Sequence, residues 1–122
     1  MSQERRKAPR IDEQLPIAIR GDGQIAQAQT QNLSTVGAYC TIDRFIPPMT
    51  KLQLAFELPD GSRRVRIACS GVVVRTEPVV LDAQRGGYSL AIYFSEMSER
   101  SRAAISKFVR QRLSARSATN HQ

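Results

Sequence analysis

Apolar residues alternate with polar or small ones along most of the chain up to Phe94. A period of two is typical of strands that are buried on one face only. One run places Ala38 and Cys40 on one face and Tyr39 on the other. The alternating runs predict six strands, approximately at residues 15–19, 25–31, 38–42, 52–58, 64–75 and 88–94.

Turn signals separate these runs, notably Gly21-Asp22-Gly23 and Pro59-Asp60-Gly61-Ser62. Glycine and aspartate at these positions favour tight hairpins. Pro16 predicts that the first strand lies at an edge or starts irregularly, because proline cannot donate to a ladder. Alternation is lost after Gly71, which predicts a bulge or bend in the fifth strand.

From Met97 the apolar period changes to three and four residues, which predicts an amphipathic helix that Ser95 or Ser98 could cap. Six strands followed by one helix favour an all-β dominated fold, a six-stranded antiparallel β-barrel with a C-terminal α-helix. We expect a flexible basic N-terminal arm at residues 1–12, the barrel and helix at 13–113, and a disordered tail at 114–122.

The formal net charge of +7 favours an anionic partner. The single histidine, His121, lies in the polar tail, so we predict no enzyme, no metal site and no cofactor. Cys40 and Cys69 lie in separate strands without CxxC spacing and are predicted to be reduced core thiols. No apolar run reaches the roughly 20 residues of a membrane span, so a cytoplasmic location is expected.

Two polar segments carry the candidate ligand chemistry: an arm with Arg5, Arg6 and Arg10, and the stretch Asn32 to Gly37 between two strands. Arginine bonds bidentately to guanine edges and to phosphate oxygens. Asn32 and Ser34 are two residues apart, so on extended backbone they point to the same side. Gly37 permits a positive φ or a close backbone approach. Taken alone, a basic arm is more often a solvated tail, and Asn-x-Ser is common in turns.

Together, Arg6-x-x-x-Arg10 and Asn32-x-Ser34-x-x-Gly37 resemble the RxxxR and [D/N]xSxxG signature of the PilZ domain family. The similarity covers roughly residues 4–112. It implies a six-stranded barrel with a C-terminal helix that binds the bacterial second messenger cyclic di-GMP. By this resemblance, Arg6 and Arg10 grip guanine and phosphate, and Asn32 and Ser34 bond the ligand above an open floor at Gly37.

The resemblance also implies stoichiometry and partners. Family members with an arginine at the position of Arg5 tend to bind a stacked ligand dimer, so two cyclic di-GMP molecules per domain are expected. The signal would pass to an unknown downstream protein, and we expect a monomer that binds no DNA and has no membrane span. Two alternatives stay open: a small basic barrel that binds single-stranded nucleic acid on exposed aromatics, and a PilZ-like adaptor that binds only protein.

Overall fold

The computed structural model describes residues 8–119, in which seven β-strands precede one α-helix. The strands and the helix have the following bounds: β1 Ile11–Asp12, β2 Pro16–Gly21, β3 Gln24–Leu33, β4 Gly37–Ile42, β5 Lys51–Asp60, β6 Arg63–Asp82, β7 Arg85–Glu96 and α1 Glu99–Thr119.

The strands β2 to β7 form one closed antiparallel ring in the order β3-β2-β5-β6-β7-β4, and pairing of β4 with β3 completes it. The predicted six-stranded antiparallel barrel with a C-terminal helix is therefore confirmed. The two-residue β1 is an addition, paired with the end of β3 through Ile11 opposite Leu33. Every strand from β2 to β7 pairs with two neighbours over part of its length, which closes the ring.

The core fills the barrel with the inward residues of each alternating strand, as the period of two predicts. Phe56 and Phe94 stack inside it with ring centroids 6.4 Å apart. Its largest fully buried apolar side chains come from the helix and from every strand except β4: Phe94, Ile11, Ile17, Ile19, Leu33, Leu52, Leu58, Ile67, Leu90, Ile105 and Val73.

The long strand β6 is irregular where the alternation fails. The pairing with β7 shifts register between Ser70 and Gly71, which confirms the predicted bulge. A second shift lies between Val73 and Arg75 and leaves Val74 55% exposed. Each extra residue bends the strand and turns the next side chain to a new direction. The sequence also predicted an edge position or an irregular start at Pro16, and Pro16 is the first residue of β2.

The helix α1 packs against β1, β5 and β6 through Ser101, Ile105, Phe108 and Val109. Ser98 caps it, since its Oγ accepts the Ser101 N–H at 3.1 Å. Within residues 8–119, no helix has the length of apolar sequence that crossing a membrane would require.

Arginine side chains tie the end of α1 to the chain before β2. Arg112 Nε lies 3.3 Å from Glu13 Oε1, and Arg116 Nη2 donates to the Asp12 carbonyl oxygen at 2.6 Å. These contacts accompany continuation of the helix to Thr119, past residue 113 where its apolar pattern ends. Residues 120–122 lie outside the described part. Ile11, within the predicted arm, is only 1% exposed.

A buried hydroxyl fixes the segment that joins β1 to β2. Thr30 is fully buried; its Oγ1 accepts the Leu15 N–H at 2.8 Å and donates to the Glu13 carbonyl oxygen. The Thr30 N–H in turn donates to the Leu15 carbonyl oxygen at 2.9 Å. One threonine thereby satisfies two backbone groups that a valine would leave without partners.

We predict that Thr30→Val lowers the free energy of unfolding by about 1–3 kcal/mol, because backbone groups of Glu13 and Leu15 lose their partner. Urea denaturation with an unchanged m-value measures this. Thr41→Val is the matched control, since the Thr41 hydroxyl only accepts from Gln31 Nε2 at 3.3 Å on the outer face. Equal losses in the two variants would contradict the role given to Thr30.

Both cysteines are free thiols in the barrel wall, as predicted, with Cys40 at 0% and Cys69 at 8% exposure. Burial raises the pKa of Cys40 to about 12. Burial also raises the pKa of Cys69 to about 11, although the charge of Arg102 opposes it.

We predict that neither thiol reacts quickly with Ellman's reagent in the folded protein, because each is covered and stays protonated below its raised pKa. Absorbance of the released thiolate at mildly alkaline pH measures this. In guanidinium chloride both cysteines should react at the rate of an unfolded thiol. Fast reaction of either cysteine without denaturant would overturn the prediction.

Candidate functional site

An outer-surface cleft lies beside the loop that joins β3 to β4. It has a volume of about 170 Å³. Its floor is formed by outward residues of β4 and β7, and its walls come from β3, β6 and the chain before β1. The cleft is lined by Arg10, Asn32, Ser34, Val36, Gly37, Ala38, Tyr39, Val74, Arg75, Ala91, Ile92 and Tyr93.

The fold brings four of the six predicted ligand residues together at this cleft: Arg10, Asn32, Ser34 and Gly37. Their meeting depends on β1, which pairs Asp12 with Asn32 and so carries the preceding residues to the loop. The other two predicted residues, Arg5 and Arg6, lie outside the described residues.

Asn32 faces the cleft because β3 is irregular just before it. The pairing of β3 with β4 shifts register between Thr30 and Asn32, which sets Asn32 opposite Tyr39. Its amide forms no hydrogen bond with any residue of the 8–119 range. A half-buried amide with both its donors and its acceptor unused can bond a ligand without first breaking a protein contact.

Ser34 shapes the loop. Its Oγ accepts the N–H groups of Val36 at 3.1 Å and of Gly37 at 3.3 Å, and its own N–H donates to the Gly37 carbonyl at 3.0 Å. The hydroxyl proton points to that same carbonyl over a long 3.4 Å. A hydrogen bond of that length is weak, so the proton can turn to a better acceptor at small cost.

Gly37 is needed because two strands approach closely at this position. Its φ is not positive, and an added Cβ would lie 2.3 Å from the Ile92 carbonyl oxygen of β7. The clash is with a backbone atom of a core strand, so it cannot be relieved by a rotamer change. Gly37 therefore allows β4 and β7 to approach closely under the cleft. Its role toward a ligand stays a prediction.

The loop is also held from the helix. Arg102 of α1 donates from Nη1 to the Thr35 carbonyl oxygen at 2.6 Å. The Phe94 N–H donates to the Val36 carbonyl at 2.9 Å from the opposite side. With the Ser34 contacts, these bonds leave the loop little freedom, so the barrel half of the cleft is preorganised.

The sequence did not indicate Arg75 as a residue of this cleft. The second bulge of β6 sets Arg75 opposite Ala91, at the edge of the cleft. Arg75 donates from Nη2 to the Tyr39 hydroxyl at 2.7 Å. The broken alternation at Val72-Val73-Val74 was the sequence feature that bears on Arg75. It indicated a bulge, but it did not indicate the direction of the side chain that follows the bulge.

The charge of the cleft is positive. Its described lining contains two arginines, Arg10 and Arg75, and no carboxylate. The nearest acidic contact is that of Arg75 Nε with Glu77 Oε2 at 3.6 Å, on the exposed surface. Amides, a hydroxyl, aromatic rings and two guanidinium groups together suit a flat anionic ligand.

The comparisons with known proteins agree with this arrangement. The PilZ domain model matches residues 4–111, so the chain belongs to the PilZ domain family. PilZ domain proteins are effectors and receptors and not enzymes. A comparison with curated proteins gave no sequence match.

Three solved structures share the fold. The inhibitor of motility MotI/DgrA of Bacillus subtilis matches with a TM-score of 0.77 at 19% identity, over 88% of this chain and 51% of that one. The PilZ domain of Escherichia coli YcgR, solved with c-di-GMP, gives a TM-score of 0.67 at 13% identity over 95% and 98%.

The third structure is MrkH, described as a c-di-GMP-dependent transcription regulatory factor. It matches with a TM-score of 0.70 at 16% identity, over 88% of this chain and 51% of that one. The chain thus spans about half the length of MotI and of MrkH. At these identities the likeness shows the shared fold.

We predict that Gly37→Ala lowers the free energy of unfolding by about 1–3 kcal/mol, because the new methyl group forces β4 away from β7. Thermal and urea denaturation measure the loss. Gly86→Ala is the matched control, since a Cβ there would meet only the Val79 carbonyl oxygen at an ordinary 3.7 Å. A Gly37→Ala protein as stable as Gly86→Ala would show that the strands can separate without cost.

Proposed function

We propose that this chain is a receptor for cyclic di-GMP, bound at the cleft through the RxxxR and NxSxxG residues. The observation that carries the proposal is the meeting of Arg10 with Asn32, Ser34 and Gly37 around one positive cleft. Membership of the PilZ family supports it, as does the fold shared with a YcgR domain that was solved with c-di-GMP.

Each residue has a role that follows from its chemistry. The guanidinium groups of Arg6 and Arg10 bond the O6 and N7 edge of guanine and the phosphate oxygens. Asn32 supplies an amide that accepts from guanine N–H groups. Asparagine offers one oxygen where aspartate offers two, but it does not repel phosphate, so binding is retained with altered affinity.

Ser34 has two tasks in this proposal. Its Oγ keeps the loop closed by accepting from Val36 and Gly37, and its proton turns from the Gly37 carbonyl to a ligand oxygen. A negatively charged acceptor makes the new bond stronger than the long neutral one it replaces. The loop needs no rearrangement, so the cost of binding falls on the arginine side.

The signal arises from ordering of the N-terminal arm on the ligand. Each charge-assisted hydrogen bond contributes about 1.5–3 kcal/mol, against an ordering cost of about 1–2 kcal/mol for each residue that is fixed. Two arginines with several bonds each can therefore offset the ordering of a short segment. The closed arm then presents a new surface to an unknown downstream protein.

Arg5 extends the proposal to stoichiometry. An additional guanidinium group beside Arg6 provides charge for a second, stacked ligand molecule, so two cyclic di-GMP molecules per domain are expected. The domain itself is proposed to be a cytoplasmic monomer that binds no DNA.

The nucleic-acid alternative finds less support in the exposed aromatic side chains. Binding of single strands would need neighbouring aromatic rings along an open face. Phe56, Phe94 and Phe108 are buried in the core. The exposed rings of Phe45 and Tyr93 belong to different places, because Phe45 contacts Tyr88 and Tyr93 borders the cleft.

We predict that Arg6→Ala and Arg10→Ala each weaken cyclic di-GMP binding at least about tenfold, since each removes charge-assisted bonds to the ligand. Isothermal calorimetry measures affinity and stoichiometry. An NMR titration that follows the amides of residues 4–12 and 32–37 reports ordering of the arm and contact with the loop in the same sample.

Arg85→Ala is the matched control, because it removes the same charge outside the cleft. Arg85 pairs with Asp82 at the hairpin between β6 and β7. The affinity of Arg85→Ala should equal that of the wild type. Unchanged affinity in both Arg6→Ala and Arg10→Ala would reject the receptor assignment. Tighter binding of a mixed oligonucleotide than of cyclic di-GMP at physiological salt would favour the nucleic-acid alternative instead.

A further inference from the structure

Tyr39 is one of the residues that line the cleft. It lies on the outward face of β4, opposite Asn32 of β3 on one side and Ala91 of β7 on the other. Its neighbour Ala91 has a small side chain and is almost fully buried, so the half-buried tyrosine ring stands above its surroundings. This ring is in contact with Arg10, which precedes β1.

Arg10 contacts that ring. Its Cζ lies 5.3 Å from the centroid of the Tyr39 ring, within the range of a cation–π interaction. Arg10 is exposed and forms no ion pair and no hydrogen bond with the other residues that the structure describes. An exposed arginine without such a contact would sample many rotamers, so the ring is what holds its guanidinium group at the cleft.

Arg75 holds the ring in turn. It donates to the Tyr39 hydroxyl at 2.7 Å, and its own Cζ lies 5.6 Å from the ring centroid. The guanidinium groups of Arg10 and Arg75 therefore both lie within about 6 Å of the centroid of one tyrosine ring. Their mutual repulsion is relieved when an anion is placed near both, so the arrangement favours a ligand that carries phosphate.

We infer that Tyr39 is a positioning residue: it keeps Arg10 at the cleft before the ligand arrives, and Arg75 fixes its ring for that purpose. The inference rests on the proposed function for its ligand and goes beyond the two signature motifs. By placing the second signature arginine in advance, Tyr39 removes part of the ordering cost of binding.

The effect on binding has a definite sign. Tyr39→Leu frees Arg10 and should weaken cyclic di-GMP binding about two- to fivefold, the value of an exposed cation–π contact. Tyr39→Phe keeps the ring and loses only the bond to Arg75, so it should recover most of that affinity. Unchanged or tighter binding in Tyr39→Leu would overturn the inference, because the ring would then compete with the ligand for Arg10.

A double-mutant cycle separates positioning from direct contact. If Tyr39 acts through Arg10, Tyr39→Leu should have no further effect on affinity in an Arg10→Ala background. The same two- to fivefold loss in that background would overturn the positioning role, since Tyr39 would then contact the ligand itself. Phe45→Leu is the control for loss of an exposed ring away from the cleft, and its affinity should equal that of the wild type.

A ligand-free measurement keeps this inference distinct from the proposed function. In the free protein, the ring current of Tyr39 should shift the side-chain NMR resonances of Arg10 away from random-coil values, and Tyr39→Leu should abolish the shift. If the wild type does not bind cyclic di-GMP, the proposed function fails, and this measurement alone decides the placement of Arg10. Random-coil resonances of Arg10 in the wild type would overturn it.

Discussion

The structure depends on one close approach, that of β4 to β7 at Gly37. With no Cβ at this position, the β4 backbone lies against the Ile92 carbonyl, and β4 can pair on both its sides. That double pairing closes the ring, and closure buries the inward residues of every strand. The glycine also ends the loop that borders the ligand cleft. Stability and the shape of the site thus share a single requirement, so a substitution here affects both.

Most of the fold follows from local patterns. Alternation located the six barrel strands, and the change of period located the helix, because each pattern reflects burial of one face. The sequence could not show β1, since Ile11 is a single apolar residue whose burial depends on pairing with Leu33 far along the chain. The end of α1 was missed for the same reason. Residues after 113 have no apolar stripe, and Arg116 finds its partners in β1 and Glu13.

The site was predictable as a set of residues but not as a geometry. Arg10, Asn32 and Ser34 line one cleft, and the resemblance to the PilZ signature was the reason to group them. The position of Arg75 at the cleft could not be predicted, because it results from a register shift in β6 that depends on pairing with β7. The role of Gly37 could not be derived either. A glycine in a sequence does not show whether its missing side chain makes room for a ligand or for a neighbouring strand.

The helix α1 contacts both halves of the cleft. Arg102 holds the Thr35 carbonyl on the barrel side, and Arg112 and Arg116 hold Glu13 at the root of the arm. Suppose that ligand binding changes the strength of either contact. A second molecule that displaces α1 then changes the affinity for the ligand, and the ligand changes the affinity for that molecule by the same factor. A molecule bound to α1 could therefore act on the proposed ligand site without entering the cleft.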